Sequence, residues 1–299
     1  MDETAQEIEA AGKILCDPNC SLATRFRALF TLRNIPGKRS VDLICKVLLE
    51  DKSALLKHEC AFVLGQMSDA SADEVLKEVL ANKSEHCMVR HEAGEALAAI
   101  GSPSSFNILQ EYSTDPVLEV AQTCMLASQN IILKKTNNAF NSIDPTPPLN
   151  DEADISKLED ILSDASLDLF LRYQALFALR NLRSKEAVNA LGRALLKYQD
   201  DENNNLLKHE LGYVFGQLQD EDSIQFLKQI LENKNECEMV RHEVAEALGS
   251  IASPEAEEIL IKFKDDEVQV VRESIQVALD MALYERSDQK DFLDTMNGH

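Results

Sequence analysis

The sequence predicts an all-α protein in which helical hairpins repeat and stack into a solenoid. Ten Gly and eight Pro in 299 residues are about half the usual share, so the chain has few turn residues for a barrel or sandwich. Apolar residues recur at helical spacing, as in Val89, Ala93, Ala96 and Leu97. In addition, one segment recurs four times along the chain, which is typical of a helical repeat protein.

The recurring segment shows that the sequence is a tandem duplication of a smaller repeat array. Its four copies are LLKHECAFVLGQM from Leu55, MVRHEAGEALAAI from Met88, LLKHELGYVFGQL from Leu206 and MVRHEVAEALGSI from Met239. Their His residues are 33 residues apart within each half and 151 residues apart between the halves. Weaker copies flank them, and an amphipathic helix precedes each copy. The pattern predicts eight hairpins in two symmetric halves of four, stacked because one hairpin cannot bury its apolar face alone.

The two halves are joined by a segment without helical periodicity, TNNAFNSIDPTPPLNDEA, which runs from Thr136 to Ala153. It is rich in Asn, Pro and Asp, a composition that predicts a linker or a disordered loop. We therefore expect an N-terminal half over residues 1–135, a linker over residues 136–153 and a C-terminal half over residues 154–299.

Composition also limits the class of partner. The chain has 52 Asp and Glu against 30 Lys and Arg, and its net charge is −22. Such a charge argues against nucleic acid or an anionic membrane and favours a cationic partner or substrate. We find no signal-peptide pattern and no apolar run of membrane-spanning length, and the seven scattered Cys lack disulfide or metal-site spacing. These features predict a cytoplasmic protein with reduced cysteines, and we take a monomer as the default.

Pairs of His and Glu mark the middle two repeats of each half. Four of the six His in the chain are each followed by Glu. The pairs are His58-Glu59, His91-Glu92, His209-Glu210 and His242-Glu243. A single His on a repeat helix is usually a surface or packing residue, but four pairs at matching positions weaken that explanation. The pairs lie off the apolar stripe, where the inner helices of a curved stack face a groove. His86, in a turn, and His299, the last residue, are assigned no role.

The four pairs predict a metal site. Imidazole and carboxylate without thiolate suit Fe, Mn or Zn. Inner helices of adjacent repeats lie about 10 Å apart, so a His on each can reach one metal, with a Glu completing the set. Two halves then predict two metals, whose charge four Glu can balance. The H-E-x-x-H spacing of zinc proteases is absent, so the ligands must come from different repeats.

The sequence leaves open which of the four Glu residues bind metal and which bind substrate. In one interpretation all eight paired side chains are metal ligands. In the other, Glu92 and Glu243 bind metal while Glu59 and Glu210 hold the ammonium groups of a substrate. Met88 and Met239, three residues before the second His of each half, are weaker candidates for lining the site, and gap-filling in the core explains them equally well. Gln66 and Gln217, two turns after their His, fit a structural role or the groove wall.

The repeat core, V-R-x-x-A-x-x-A-L, resembles the inner-helix signature of HEAT repeats. The K-H-E and M-V-R-H-E contexts, the downstream GQM or GQL and the linker between two symmetric halves resemble deoxyhypusine hydroxylases over nearly the whole chain. This resemblance implies a non-haem di-iron monooxygenase in which the four His-Glu pairs form the site. It implies two iron ions, Fe²⁺ or Fe³⁺, O₂ as co-substrate and an unidentified electron donor. The substrate implied is the deoxyhypusine side chain of a translation factor, whose hydroxylation completes hypusine.

Three other functions compete with this one. A non-catalytic HEAT scaffold that binds a basic protein would hold no metal. A dinuclear metallohydrolase would use the same ligands without O₂. HEAT-type bilin lyases share the repeat but lack the paired His-Glu set. Metal identity and an O₂ requirement separate the oxygenase from these, since zinc has no redox chemistry.

Overall fold

A computed structural model describes residues 3–133, 144–149 and 154–286, and within these ranges it contains sixteen α-helices and no strand. The all-α prediction is confirmed. The chain divides into two compact units, Met1–Leu133 with Gln289–His299 and Lys134–Asp288. None of the helices described is both long and apolar enough to cross a lipid bilayer.

The first unit contains eight helices in chain order. They are α1 Glu3–Leu15, α2 Leu22–Asn34, α3 Lys38–Glu50, α4 Ala54–Met67, α5 Asp73–Ala81, α6 Cys87–Ile100, α7 Pro103–Tyr112 and α8 Leu118–Leu133. The second unit contains eight more. They are α9 Ile155–Ser163, α10 Leu169–Leu182, α11 Lys185–Lys197, α12 Asn205–Leu218, α13 Ile224–Glu232, α14 Glu238–Ile251, α15 Pro254–Phe263 and α16 Gln269–Arg286. Their pairing into eight hairpins, and the division at residues 135 and 153, remain predictions.

Burial separates inner from outer helices. Ten of the fourteen residues are buried in each of α4, α6, α12 and α14, whereas α3 buries six of thirteen and α5 four of nine. The inner helices are therefore enclosed by their neighbours, while the outer helices bury one face. The His-Glu pairs of the sequence all lie on these four inner helices, near the amino-terminal end of each.

Side-chain caps fix where the inner helices begin. The Ser53 hydroxyl accepts a hydrogen bond from the Leu56 backbone N–H of α4 at 3.1 Å. His86 caps α6, because its Nδ1 accepts from the Met88 backbone N–H at 3.3 Å. Each cap satisfies a backbone donor that the first turn of a helix leaves unbonded. His86, which was assigned no role from the sequence, is thus a structural residue. His299 lies outside the described residues.

Buried arginines bind successive elements together. Arg241 is 1% exposed; its Nε donates to the Leu231 carbonyl at 3.3 Å and its Nη2 lies 2.7 Å from the Asp266 carboxylate. Arg90 makes the same contacts with the Leu80 carbonyl and Asp115. Each of these arginines links the outer helix before its own helix to the turn that precedes α8 or α16. It therefore holds three elements of the stack in register.

Part of the predicted linker contacts the second unit. Asp144 forms an ion pair of 2.6 Å with Arg180, which is fully buried and stacks on the Phe177 ring. The Leu149 backbone N–H donates to the Gln174 carbonyl of α10 at 3.1 Å. Residues 144–149 therefore lie against α10, an anchoring that composition did not predict because it depends on a partner 36 residues away. The rest of the predicted linker, residues 136–143 and 150–153, lies outside the described residues.

The Arg241–Asp266 pair predicts a specific acid sensitivity. Burial raises the pKa of the Asp266 carboxyl, but hydrogen bonds from Arg241 and the Val268 N–H, with the guanidinium charge, outweigh burial and lower the net pKa. The stabilisation is therefore complete above the unfolded pKa of Asp, about 3.9, and is lost as pH falls through the lower folded pKa. We expect the urea midpoint of Asp266→Asn to decline less steeply than that of the wild type below about pH 4.

At neutral pH the same variant should lose about 1–3 kcal/mol of unfolding free energy. The loss is limited because an amide still accepts a hydrogen bond from arginine, as Asn204 does from Arg172 at 2.8 Å. Asp42→Asn, in an exposed i,i+4 pair with Lys38, is the control and should change neither quantity. Parallel pH curves for Asp266→Asn and the wild type would contradict the assignment.

Candidate metal centre

In the first unit, α4 and α6 bring two imidazoles and one carboxylate together. His58 on α4 places its Nε2 3.3 Å from a carboxylate oxygen of Glu92 on α6. The same Glu92 oxygen lies 3.9 Å from Nε2 of His91, and the two imidazole rings are 5.6 Å apart between centroids. The ligand atoms of His58, His91 and Glu92 all lie within 4.8 Å of one another. We call this group the first His–His–Glu cluster.

The second unit repeats the arrangement on α12 and α14. His209 Nε2 lies 3.2 Å from a carboxylate oxygen of Glu243, and His242 Nε2 lies 4.0 Å from the same oxygen. The imidazole centroids are 5.3 Å apart. Since the 151-residue duplication predicts equivalent positions, the agreement of the two distances shows that both units build the same geometry. We call His209, His242 and Glu243 the second His–His–Glu cluster.

Helix packing explains how the clusters form. Each His is the fifth residue of its helix, so the two imidazoles of a cluster sit at the same height on adjacent inner helices. In the first unit Gly65 permits a close approach of these helices, because a Cβ on Gly65 would lie 2.9 Å from the Ala96 Cα. The glycine of the GQM motif therefore keeps α4 against α6 two turns beyond His58.

The clusters are almost completely shielded from solvent. His91 and His242 are 0% exposed, and His58, Glu92, His209 and Glu243 are 4–6% exposed. Burying a carboxylate is unfavourable unless a positive charge or hydrogen bonds compensate it. A buried carboxylate between two imidazoles, found twice in one chain, is the arrangement expected of a metal site.

Glu59 and Glu210 are as buried as the cluster carboxylates, but they belong to neither His–His–Glu cluster of the described residues. Each directly follows the first His of its unit, on the helix that carries that His. The structure therefore distinguishes two pairs of Glu that the sequence left equivalent: Glu92 and Glu243 lie within the clusters, and Glu59 and Glu210 lie next to them.

Two further carboxylates adjoin the clusters and were missed in the sequence. Oε1 of Glu95 lies 3.9 Å from Nδ1 of His91, and Oε1 of Glu246 lies 3.6 Å from Nδ1 of His242. Residues four apart share a helix face, so the repeated H-E-x-x-E spacing was the signal that could have found them. Glu246 also belongs with His242 and Glu243 to a group of closely spaced ligand atoms.

The two Met and two Gln candidates occupy positions typical of structural residues. Met88 and Met239 are 0% and 1% exposed, as expected of core residues. Gln66 accepts a hydrogen bond from Arg33 at 3.0 Å, and Gln217 accepts one from Arg180 at 3.0 Å. Gln66 therefore joins α4 to α2, and Gln217 joins α12 to α10.

The donor set of each cluster fits a redox-active metal. Two imidazoles with one carboxylate are the ligands of non-haem iron oxygenases, which leave other coordination positions open. Metal–ligand bonds of about 2.1 Å place neighbouring ligand atoms about 3–3.5 Å apart. The spacings of 3.2–3.3 Å meet that range, and the spacings of 3.9–4.0 Å require only a small side-chain movement.

Comparison with known proteins identifies the repeat and its relatives. A model of HEAT repeats matches residues 41–127 and 193–280, which confirms the predicted repeat type. A PBS lyase HEAT-like repeat matches residues 171–197 alone. The chain is 48% identical over 298 residues to "Deoxyhypusine hydroxylase" of Mus musculus, covering 97% of this chain and 96% of the mouse protein. It is 45% identical over 295 residues to the Drosophila melanogaster protein of that name, covering 97% and 96%.

A solved structure gives the same result in three dimensions. The structure of human deoxyhypusine hydroxylase in complex with glycerol matches with a TM-score of 0.88 and 46% sequence identity. The match covers 94% of this chain and 97% of the human one. The likeness therefore extends over both units.

Removal of one imidazole should remove most of the metal affinity of its cluster. We expect the alanine variants of His58, His91, His209 and His242 each to lose at least about 10-fold in metal affinity, because two remaining donors hold a divalent ion weakly. Mass spectrometry of metal content and competition with a chelator measure the loss. His86→Ser is the matched control: it removes an imidazole outside the clusters and keeps a good helix cap. Full metal occupancy in any of the four variants would remove that His from the site.

Proposed function

The chain belongs to the deoxyhypusine hydroxylase family, and we propose that each of its two His–His–Glu clusters holds one iron ion for that reaction. The protein is an enzyme that hydroxylates deoxyhypusine in a protein substrate. One observation carries the proposed iron centre: in both units, two buried imidazoles on adjacent helices each place Nε2 within 4.0 Å of one buried carboxylate oxygen. The proposed ligands are His58, His91 and Glu92 in the first unit and His209, His242 and Glu243 in the second.

When bound, iron would supply the redox chemistry that activates O₂, which a zinc ion cannot do. The chain's own residues perform the remaining tasks. His58 and His209 would hold the metal through Nε2, the atom that faces the cluster carboxylate. Glu95 and Glu246 lie on the Nδ1 side of His91 and His242, where a carboxylate orients an imidazole and makes it a better ligand. Glu92 and Glu243 each contribute one negative charge to the centre.

Burial keeps bulk water away from the reacting atoms. With the ligand residues 0–6% exposed, the site presents little polar surface to solvent. A C–H bond that resists attack requires a strong oxidant, and exclusion of water protects that oxidant from side reactions. The same burial strengthens the electrostatic interactions of the site, because the local dielectric constant is low.

Glu59 and Glu210 provide the negative charge that a cationic substrate requires. The deoxyhypusine side chain is long and carries ammonium groups, which a buried carboxylate next to the metal can hold by charge-assisted hydrogen bonds. Both residues are 4–6% exposed and adjoin the clusters without belonging to them. The net charge of −22 attracts a basic protein segment over a longer range. These two carboxylates therefore orient the carbon to be hydroxylated relative to the metal.

The same reasoning extends to the partners. We infer that the protein substrate is the translation factor that carries deoxyhypusine, and that electrons come from a separate donor. The acidic surface disfavours nucleic acid and anionic membranes, and we propose a monomer that acts in the cytoplasm.

The deciding experiment follows the oxygen atom. Iron-loaded protein is incubated with the deoxyhypusine-bearing translation factor under isotopically labelled O₂, and the product is analysed by mass spectrometry. We expect the label to appear in the modified side chain. A metallohydrolase on the same ligands would act without O₂, and a scaffold would leave the substrate unchanged. Zinc-loaded protein is the control for redox chemistry.

Substitution of the four Glu residues should separate metal binding from substrate binding. We expect Glu92→Gln and Glu243→Gln to lose iron, because each removes the only carboxylate of its His–His–Glu cluster. Glu59→Gln and Glu210→Gln should keep most of the iron and raise KM for the protein substrate by at least about 10-fold, the loss expected when a buried charge pair is broken. Iron content and steady-state kinetics measure the two effects. An equal loss of iron in all four variants would show that all eight paired residues are ligands.

A further inference from the structure

A row of buried cations accompanies the inner helices. In α2, α6, α10 and α14 the fourth residue is an arginine whose Nε donates to a carbonyl ten residues earlier, at 2.9–3.3 Å. These residues are Arg25, Arg90, Arg172 and Arg241. Their guanidinium groups also contact a side chain that follows the helix, as in Arg90–Asp115 and Arg241–Asp266. Arg90 and Arg241 thus each join their own helix to the preceding helix and to the turn before the next helix but one.

The two helices that carry the first His of each cluster depart from this rule. In α4 the cation is Lys57, which pairs with Glu85. In α12 it is Lys208, whose Nζ lies 2.5 Å from a carboxylate oxygen of Glu236. The side chains of Lys208 and Glu236 are 0% and 1% exposed. The substitution of a Lys–Glu pair for an Arg–Asp pair therefore occurs once in each unit, directly before His58 and His209.

The acid of each pair also holds the start of the next inner helix. Glu85 accepts a hydrogen bond from the His86 backbone N–H at 2.9 Å, and Glu236 accepts one from the Cys237 backbone N–H at 2.9 Å. His86 and Cys237 are the capping residues of α6 and α14. One carboxylate thus bonds the lysine of one His helix and the first backbone donor of the other.

This arrangement links the two halves of each cluster by a short path. Lys208 immediately precedes His209, and Cys237 lies five residues before His242 and six before Glu243. The 3.2 Å spacing between His209 and Glu243 spans the same two helices. A shift of α12 along α14 would therefore break the Lys208–Glu236–Cys237 contacts and, at the same time, increase the distance between His209 and Glu243.

We propose that Lys57 with Glu85, and Lys208 with Glu236, are positioning residues that fix the height of one His helix against the other and so preset the metal-ligand spacing. The predicted effect of these residues on metal affinity rests on the proposed function. The Arg90–Asp115 and Arg241–Asp266 pairs join α6 and α14 to the turns before α8 and α16, and so do not bridge the two helices of a cluster.

The second unit offers a matched pair of variants in the full-length protein. Glu236→Gln and Asp266→Asn make the same chemical change, from carboxylate to amide, in two buried ion pairs of one unit. Only Glu236 bridges α12 and α14. In a chelator competition we expect Glu236→Gln to weaken Fe²⁺ binding about 10-fold. Asp266→Asn should leave the Fe²⁺ affinity within about 2-fold of the wild type, well short of the loss expected for a residue that orients a ligand.

A crystal structure of each metal-free variant supplies a readout that does not depend on iron. The distance from His209 Nε2 to the Glu243 carboxylate should increase by about 1 Å in Glu236→Gln and stay near 3.2 Å in Asp266→Asn. If this distance opens while the wild type binds no iron, the positioning role stands and the proposed function fails. An unchanged distance in Glu236→Gln, or equal iron affinities in the two variants, would overturn the positioning role.

A double variant separates position from charge and remains informative if Glu236→Gln does not fold. Lys208→Met with Glu236→Gln removes both buried charges, and such replacements often restore stability. We expect its metal-free thermal midpoint to return towards that of the wild type while its iron affinity stays low. Recovery of both quantities would mean that the pair only neutralises charge, and the proposal would be rejected.

Discussion

In each unit two inner helices share the proposed metal ligands, so the site depends on how closely one of these helices packs against the other. In each unit the carboxylate comes from one helix and the nearest imidazole from its neighbour, 3.2–3.3 Å away. Gly65 allows α4 to approach α6 closely, and the Lys57–Glu85 pair joins the same two helices near their amino-terminal ends. Repeat stacking is therefore the source of the site as well as of the core.

The buried charges of the stack have a consistent arrangement. Arg90, Arg241 and Lys208 are all 2% exposed or less, and each contacts a carboxylate of a neighbouring element. Buried pairs of this kind contribute little net stability, but breaking one leaves an uncompensated charge and is costly. In a repeat array, where similar helices offer several similar packings, such pairs favour one register. We regard register as their main contribution here, because a shift of one helix along another would separate the ligands.

Gene-level duplication explains why the two clusters agree so closely. The same ligand types sit on equivalent helices of both units, and the spacings differ by only 0.1 Å between His58–Glu92 and His209–Glu243. The copies have diverged where the site does not depend on them. Gln66 and Gln217 keep one hydrogen bond to an arginine, yet Arg180 also pairs with Asp144 while Arg33 is only half-buried. The two units thus differ in the surroundings of Arg33 and Arg180, whereas the residues of the two His–His–Glu clusters are the same.

The sequence by itself determined the all-α class, the repeat, its duplication and the eight His-Glu residues. These properties are readable because helical periodicity and a fixed 151-residue offset are local or repeated patterns. Only the tertiary structure decided that Glu92 and Glu243 lie within 3.3 Å of an imidazole on the neighbouring helix. It alone revealed the Lys–Glu pairs, whose members are 28 residues apart, and the anchoring of Asp144 by Arg180. Such contacts depend on the angle between packed helices and on side-chain rotamers, and neither leaves a period in the sequence.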